Sequence, residues 1–204
     1  LSYEHPSKDV GFLRKNHKKR RLSMKTGYLW IAAWLVFYAL GFRTDMQKLF
    51  ANRGLHIIGK EYYRLFTGLL LHVNLFHLAV NAAGMYFVTG FLNGQTEGWK
   101  LTVFTILSGT LANLLFSAFY PESTSIGGSP VVFSLFGLLL AFQLLRPELP
   151  RFQTGTVYAS WILGIAVLGN IPIFSKNLST FVIHLMAFGC GFLFSAAGTW
   201  AGMF

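Results

Sequence analysis

The charged residues divide the chain into long uncharged runs. Six of these runs reach the length of a membrane span: 26–42, 65–96, 101–121, 123–145, 152–175 and 177–204. About 20 residues of helix cross a hydrocarbon core of ~30 Å at a rise of ~1.5 Å per residue. Each run therefore accommodates one helix and some loop. The pattern predicts an all-α membrane protein, a bundle of six transmembrane helices.

The first run has two interpretations. A basic segment precedes it, and Ala39, Leu40 and Gly41 weakly resemble a signal-peptide cleavage site. Trp30, Trp34 and further aromatic residues favour a retained helix instead. We therefore predict a basic N-terminal segment, residues 1–25, followed by a six-helix transmembrane domain, residues 26–204. The chain begins with Leu, which leaves open whether an upstream segment was removed.

The positive charge is concentrated at one end of the chain. Eight of the 17 Lys and Arg residues lie within residues 1–25, and the net charge is +10. With the N-terminus inside, the cytoplasmic segments carry eleven Lys and Arg residues and the opposite side carries six. Because cytoplasmic loops are enriched in these residues, we predict a multi-pass cell-membrane protein with both termini in the cytoplasm. The basic segment would lie against anionic headgroups of the lipid bilayer.

The composition excludes other classes of protein. Hydrophobic residues make up 53% of the chain and charged residues 12%, too few charges to cover a soluble domain of this size. The basic residues are not spread over a binding surface, so we do not expect nucleic acid as a partner. A single cysteine, Cys190, excludes an intrachain disulfide and a cysteine-based zinc site.

A few polar side chains fall within the predicted spans, where such groups are costly and usually face a cavity. His77 and Asn81 are four residues apart and share one helix face, which Gly84 continues. His72 lies about 140° round a helix from His77, so these two do not form a metal-binding pair. We predict no metal site. The full set is His72, Asn74, His77, Asn81, Ser129 and His184.

Ser129 lies where a glycine-containing loop turns into a helix that has Pro130 in its first turn. By itself, this position suits a helix cap as well as a nucleophile. The helix from Ser129 to Leu145 is about 25 Å long, which places Ser129 just below the outer surface. His184 and the His77 face fall at a similar depth. A serine at a helix start with a histidine at matched depth indicates a nucleophile and its general base, although a lone membrane histidine is often a structural hydrogen-bonding group.

These segments together resemble the rhomboid family of intramembrane serine proteases. The stretch 63–81 resembles the family's signature of two histidines and an asparagine. The stretch 127–137 resembles its Gly-x-Ser-Gly motif, with Pro130 in place of the usual glycine. His184, followed by Gly191, resembles the family's histidine helix, although Ala187 stands where a glycine often follows the histidine. The match covers roughly residues 60–195.

The resemblance implies that Ser129 is the nucleophile and His184 its general base. His77 and Asn81, with the backbone N–H of Ser129, would form the oxyanion hole. It implies no metal or organic cofactor, and it implies membrane-protein substrates with a transmembrane helix. Four residues would support the site: Gly128 before the serine, an aromatic ring beside the histidine, and two glycines that let helices approach closely, namely Gly128, Phe133, Gly137 and Gly191.

We expect the site to open toward the outer side of the membrane. Segment 172–179 would cover it, and the helix over 155–171, which carries Trp161, would be a movable lateral wall. Two other classes remain open. One is a catalytically inactive rhomboid-like protein that binds transmembrane helices for trafficking or degradation. The other is a small transporter, which the absence of Asp and Glu well inside any span disfavours.

Overall fold

The computed structural model of the protein describes residues 22–54, 61–171 and 178–204. The described residues contain no β-strand, so the all-α prediction is confirmed. The helices, in chain order, are α1 (Leu22–Leu40), α2 (Met46–Phe50), α3 (Tyr63–Thr67) with a following 3-10 turn (Gly68–Leu70), α4 (Leu75–Phe91), α5 (Gly98–Phe119), α6 (Ser129–Leu145), α7 (Val157–Leu168) and α8 (Ser179–Trp200).

Two of these helices, α5 and α8, are long and apolar enough to cross a membrane. A third candidate is formed by α3, its 3-10 turn and α4, which are bent by 95° at a short break. The helices α1, α6 and α7 are apolar but shorter. Within the described ranges, length and composition therefore support two or three spans, and the count of six stays a prediction.

The break before α4 was not visible in the hydrophobic pattern. The uncharged run 65–96 is continuous through this region, whereas α4 begins at Leu75. Asn74 fixes this start, because its side-chain oxygen accepts a hydrogen bond from the N–H of His77 at 2.8 Å. The residues around the break are mostly apolar, so apolarity alone does not reveal it. As a result His77 lies in the first turn of α4.

The central helix of the bundle is α6. It carries no charged residue, and twelve of its 17 residues are buried, as expected of a helix that is apolar on every side. It packs most extensively on α8. A Cβ atom on Gly137 would lie 2.1 Å from the backbone oxygen of Phe188, and one on Gly191 would lie 2.0 Å from that of Ser134. These two glycines therefore permit a backbone approach that larger residues would block.

The first helix, α1, packs on α4 and α5 and buries Trp30 and Trp34. The indole N–H of Trp30 donates to the hydroxyl of Thr105 at 3.0 Å, and that of Trp34 donates to the carbonyl of Leu69 at 3.0 Å. These core contacts favour a retained helix over a cleaved signal peptide. Because α1 begins at Leu22, it includes the end of the predicted basic segment. The rest of that segment lies outside the described residues, and the domain boundary stays a prediction.

Arg64 connects α3 to the α2 segment through hydrogen bonds. Its guanidinium is buried and donates to the carbonyls of Lys48 at 3.0 Å and Ala51 at 3.1 Å. It also donates to the Glu61 carboxylate at 2.5 Å, and this hydrogen bond holds the pKa of Glu61 below its usual value. The α2 segment is thereby held against the start of the bent span.

Helix α7 packs chiefly on α4. The ring of Trp161 stacks on that of Phe87 with centroids 4.9 Å apart, and Tyr158 meets Phe87 edge-on at 6.0 Å. Trp161 is nevertheless 51% exposed. The aromatic contact with α4 therefore lies at a partly exposed side of α7, whose buried residues are Ala159, Ile162 and Ile165.

Candidate active site

Three helices, α4, α6 and α8, begin around one cavity of about 390 Å³. His77 lies in the first turn of α4, Ser129 is the first residue of α6, and His184 lies in the second turn of α8. All three side chains line the cavity, together with Asn81. Nine of the 19 lining residues are polar and the others are apolar or glycine, so the cavity can hold both apolar and polar groups of a ligand.

Two glycines shape the loop that leads into Ser129. Gly127 has φ +143°, which L side chains rarely adopt, and a Cβ there would lie 2.6 Å from the ring of His77. A Cβ on Gly128 would lie 2.2 Å from the indole of Trp34. The loop therefore passes between His77 and Trp34, with room for backbone only.

The start of α6 leaves one backbone donor unpaired. The N–H groups of Val131 and Val132 both donate to the carbonyl of Gly128, at 3.0 and 3.2 Å, and Pro130 has no N–H. Within the described part of the chain, no hydrogen-bond acceptor is found for the N–H of Ser129. Free N–H groups at a helix N-terminus favour negative charge, so this donor is suited to a developing oxyanion.

The same loop is fixed to the bent span and to the segment after α2. His72, a buried residue, is one of its acceptors, and its ring meets that of Trp34 edge-on at 5.2 Å. Because Nε2 of His72 accepts a hydrogen bond from the N–H of Gly128, His72 supports the serine loop. Three backbone N–H groups of the loop donate in this way: Ser125 to the carbonyl of Asn52 at 2.8 Å, Gly127 to that of Gly68 at 3.0 Å, and Gly128 to Nε2 of His72 at 3.4 Å.

The imidazole of His184 is held on two sides. Phe133, one turn after Ser129 on α6, stacks on it with ring centroids 4.0 Å apart and planes within 7°. On its edge, Nδ1 lies 3.0 Å from Oδ1 of Asn170, just beyond the end of α7. His184 is only 5% exposed. The stack holds the imidazole against α6, and both His184 and Ser129 line the same cavity.

On α4, Asn81 supplies an unused donor. Asn81 is 4% exposed, and its Nδ2 has no hydrogen-bond partner among the described residues. A buried polar group without a partner costs about 1–3 kcal/mol, and because Asn81 lines the cavity, its Nδ2 is available to a group that enters there. His77, half-buried above Gly127, lies one turn earlier on the same face.

Five of the six polar residues predicted at membrane depth line this cavity, namely Asn74, His77, Asn81, Ser129 and His184, whereas His72 and the three supporting glycines do not. No direct hydrogen bond between Ser129 and His184 occurs among the described contacts; such bonds are often long in the free form of an enzyme. No group of three or more His, Cys, Asp or Glu able to hold a metal occurs in the described ranges. Of the predicted cover, residues 172–179, the part 172–177 with Phe174 and Lys176 lies outside the described residues, whereas Ser179 begins α8 and lines the cavity.

Sequence reasoning did not find the contacts of four residues. Trp34 and Asn170 lie on other segments than the residues they support, and residue spacing within one helix does not predict contacts between segments. Gly127 belonged to a recognised loop, but its positive φ and its close approach to His77 were not predicted. His72 was recognised as a polar residue at membrane depth, without its bond to the serine loop.

The apolar helices and this site define an integral membrane protein of the all-helical class. The sequence profile of the Rhomboid domain matches residues 59–201, and the chain belongs to the rhomboid family. The resemblance seen in the sequence is therefore confirmed. The match begins before α3 and ends at the close of α8, so it includes all of the residues that line the cavity.

Several named proteins are similar to the chain. RHOMBOID-like protein 1 of Arabidopsis thaliana is 29% identical over 140 residues, which is 65% of this chain and 33% of that protein. YdcA of Bacillus subtilis (strain 168), named as a candidate rhomboid protease, is 25% identical over 142 residues, 69% of each chain. Inactive RHOMBOID-like protein 8 of Arabidopsis thaliana is 31% identical over 81 residues, 40% of this chain and 23% of that protein. The matches thus span a third or less of each Arabidopsis protein.

Proposed function

We propose that this protein is a rhomboid-type serine endopeptidase that cleaves peptide bonds in or beside the transmembrane segments of membrane-protein substrates. One observation carries the proposal: Ser129, His184 and the unpartnered amide of Asn81 line the same cavity. The unpaired donor supports the proposal because it lines the cavity together with the serine and the histidine, where a reacting carbonyl group would enter.

In the proposed reaction, Oγ of Ser129 attacks the carbonyl carbon of the scissile bond. His184 accepts the hydroxyl proton and then donates it to the leaving amine. A water molecule, activated by the same histidine, hydrolyses the acyl-enzyme and restores Ser129. Stacking on Phe133 keeps the imidazole over α6 throughout these steps.

The oxyanion of the tetrahedral intermediate receives hydrogen bonds from three donors: the N–H of Ser129, Nδ2 of Asn81 and a ring N–H of His77. Donors that are fixed before the reaction stabilise developing charge without reorganising during the step. The loop bonds to Gly68 and His72 support this role, because they hold the backbone of the serine loop in place.

Water and substrate need different routes to this cavity. The polar residues Thr124, Ser125, Ser179 and Thr180 line one side of it and would admit water from the outer surface. A substrate helix would arrive from the lipid, between α4 and α7. Their aromatic contact is the part of the wall that would have to separate.

The same proposal includes the finer architecture. The protein has six transmembrane helices over residues 26–204, with residues 1–25 as a basic segment on the cytoplasmic face of the cell membrane. Both termini are cytoplasmic. The distribution of Lys and Arg supports this orientation, and the presence of one apolar helix in each uncharged run supports the six spans.

Labelling by a serine-directed fluorophosphonate tests the proposal, because only an activated serine reacts. We expect the wild-type protein to be labelled and Ser129→Ala to be unlabelled. Ser134→Ala is the matched control: this serine is buried on the same helix, and its hydroxyl donates to the carbonyl of Val131 at 2.8 Å. Wild-type protein that is neither labelled nor able to cleave a transmembrane peptide would instead be a catalytically inactive, helix-binding member of the family.

A further inference from the structure

Asn170 contacts the edge of the His184 ring, where the backbone carbonyl of the preceding Gly169 also accepts a hydrogen bond from the imidazole. Asn170 lies two residues beyond the end of α7 and fourteen before His184 along the chain. Its Oδ1 is 3.0 Å from Nδ1 of the imidazole. Asn170 does not line the cavity that holds Ser129, so it does not contact a substrate there.

The other end of the same amide fixes which atom faces the histidine. Nδ2 of Asn170 donates to the carbonyl of Ala166 at 2.8 Å. A carbonyl oxygen only accepts hydrogen bonds, so the reversed amide would place two acceptors against each other. The amide oxygen therefore faces His184. Because that oxygen also only accepts, Nδ1 of His184 must carry the proton.

This tautomer determines what the second ring nitrogen can do. A neutral imidazole with its proton on Nδ1 has a lone pair on Nε2, the form that can accept a proton from a serine. Stacking on Phe133 sets the plane of the ring but does not discriminate between the two tautomers. No Asp or Glu lines the cavity, so within the described residues no carboxylate does this work.

We propose that Asn170 is the positioning residue of His184: it accepts the Nδ1 proton and thereby keeps Nε2 free to act as the base for Ser129. The inference rests on the proposed function, and it adds Asn170 to the pair of Ser129 and His184. It also links the end of α7 to the histidine on α8.

The test compares the turnover of purified full-length variants in proteoliposomes, using a fluorogenic peptide with an apolar transmembrane segment. We expect Asn170→Ala to lower kcat about 10- to 100-fold, which is a part of the ~10²–10⁴-fold that a general base contributes, with KM nearly unchanged. Asn170→Asp keeps an acceptor toward Nδ1 and should recover most of kcat. Asn170→Leu keeps the side-chain volume but has no acceptor, so it should not recover kcat. Val167→Ala, at a 62% exposed position on the same helix, is the control.

The outcomes separate this inference from the proposed function. Normal kcat in Asn170→Ala, beside an inactive Ser129→Ala, overturns the inference and leaves the protease assignment standing. Equal losses in Asn170→Asp and Asn170→Leu, with a lowered melting temperature in both, mean that Asn170 only supports the fold, which also overturns it. Equal activity in the wild type and Ser129→Ala would instead refute the proposed function.

Discussion

Truncation of Trp161 tests whether α7 is a movable wall. In a membrane, the area that Trp161 buries against α4 contributes little, because lipid chains are as apolar as the surface they would replace. What remains is its ring stack on Phe87, with centroids 4.9 Å apart. Such a pair contributes about 0.5–1.5 kcal/mol. In the closed state α7 packs on α4, and in the open state the two helices are apart. If the stack exists only in the closed state, Trp161→Ala raises the open-to-closed ratio about 2- to 13-fold.

The assay pairs two readouts on each variant in proteoliposomes. Cleavage of a transmembrane peptide needs the wall to open, whereas labelling by a small fluorophosphonate tests the serine itself. We expect Trp161→Ala to cleave the peptide up to about 13-fold faster, with unchanged labelling. Trp200→Ala is the matched control, since Trp200 is 93% exposed at the end of α8. The corresponding change at Phe174 has the same expected direction, although that residue lies outside the described ranges.

Two results would refute this reasoning. One is a parallel fall in cleavage and labelling in Trp161→Ala, which would make Trp161 an ordinary packing residue. The other is unchanged cleavage after α4 and α7 are cross-linked through engineered cysteines. In that case the substrate would have to unwind into the cavity from above.

Three further predictions concern the site and its support. Single and double alanine variants of Ser129 and His184 should lose nearly the same activity, because neither residue works alone; additive losses in cleavage assays would contradict the pair. His77→Ala and Asn81→Ala should each lower turnover about 10- to 1,000-fold with KM nearly intact. A large fall in melting temperature with normal activity per folded molecule would show that these two side chains only tie α4 to its neighbours. Gly137→Ala should destabilise the protein by about 1–3 kcal/mol in a denaturant titration, since its Cβ would clash with the α8 backbone 2.1 Å away; an unchanged titration midpoint would show that the helices separate freely.

The helices could be predicted from the sequence because charge is costly within a membrane, so uncharged runs mark them. The gathering of Ser129, His184 and the His77 face was accessible through helix rise, which converts residue numbers into depth. The 95° bend was not accessible, because apolar residues continue through it. Only Asn74, a favoured N-cap residue, marked the true start of α4 in the sequence.

The contacts of Asn170 illustrate a second limit. Periodicity describes which residues share a face of one helix, whereas Asn170 meets His184 from the end of another. Fourteen residues separate the two along the chain, and no spacing rule covers such a pair. Gly127 shows the same limit for backbone: a Cβ there would lie 2.6 Å from the ring of His77, which is fifty residues away in the sequence.

The length of α6 has a consequence for the lipid around the protein. Ser129 begins this helix and Arg146 follows its last residue, so 17 residues, about 25 Å, separate the serine from a fixed charge. A bilayer with a ~30 Å hydrocarbon core leaves a hydrophobic mismatch of about 5 Å, which is relieved by thinning of the bilayer or by burial of the serine. The accessible depth of Ser129 is therefore set jointly by the protein and by acyl-chain length. Shorter-chain lipids should bring the serine nearer the headgroups and move the preferred cleavage position along a substrate helix toward its outer end.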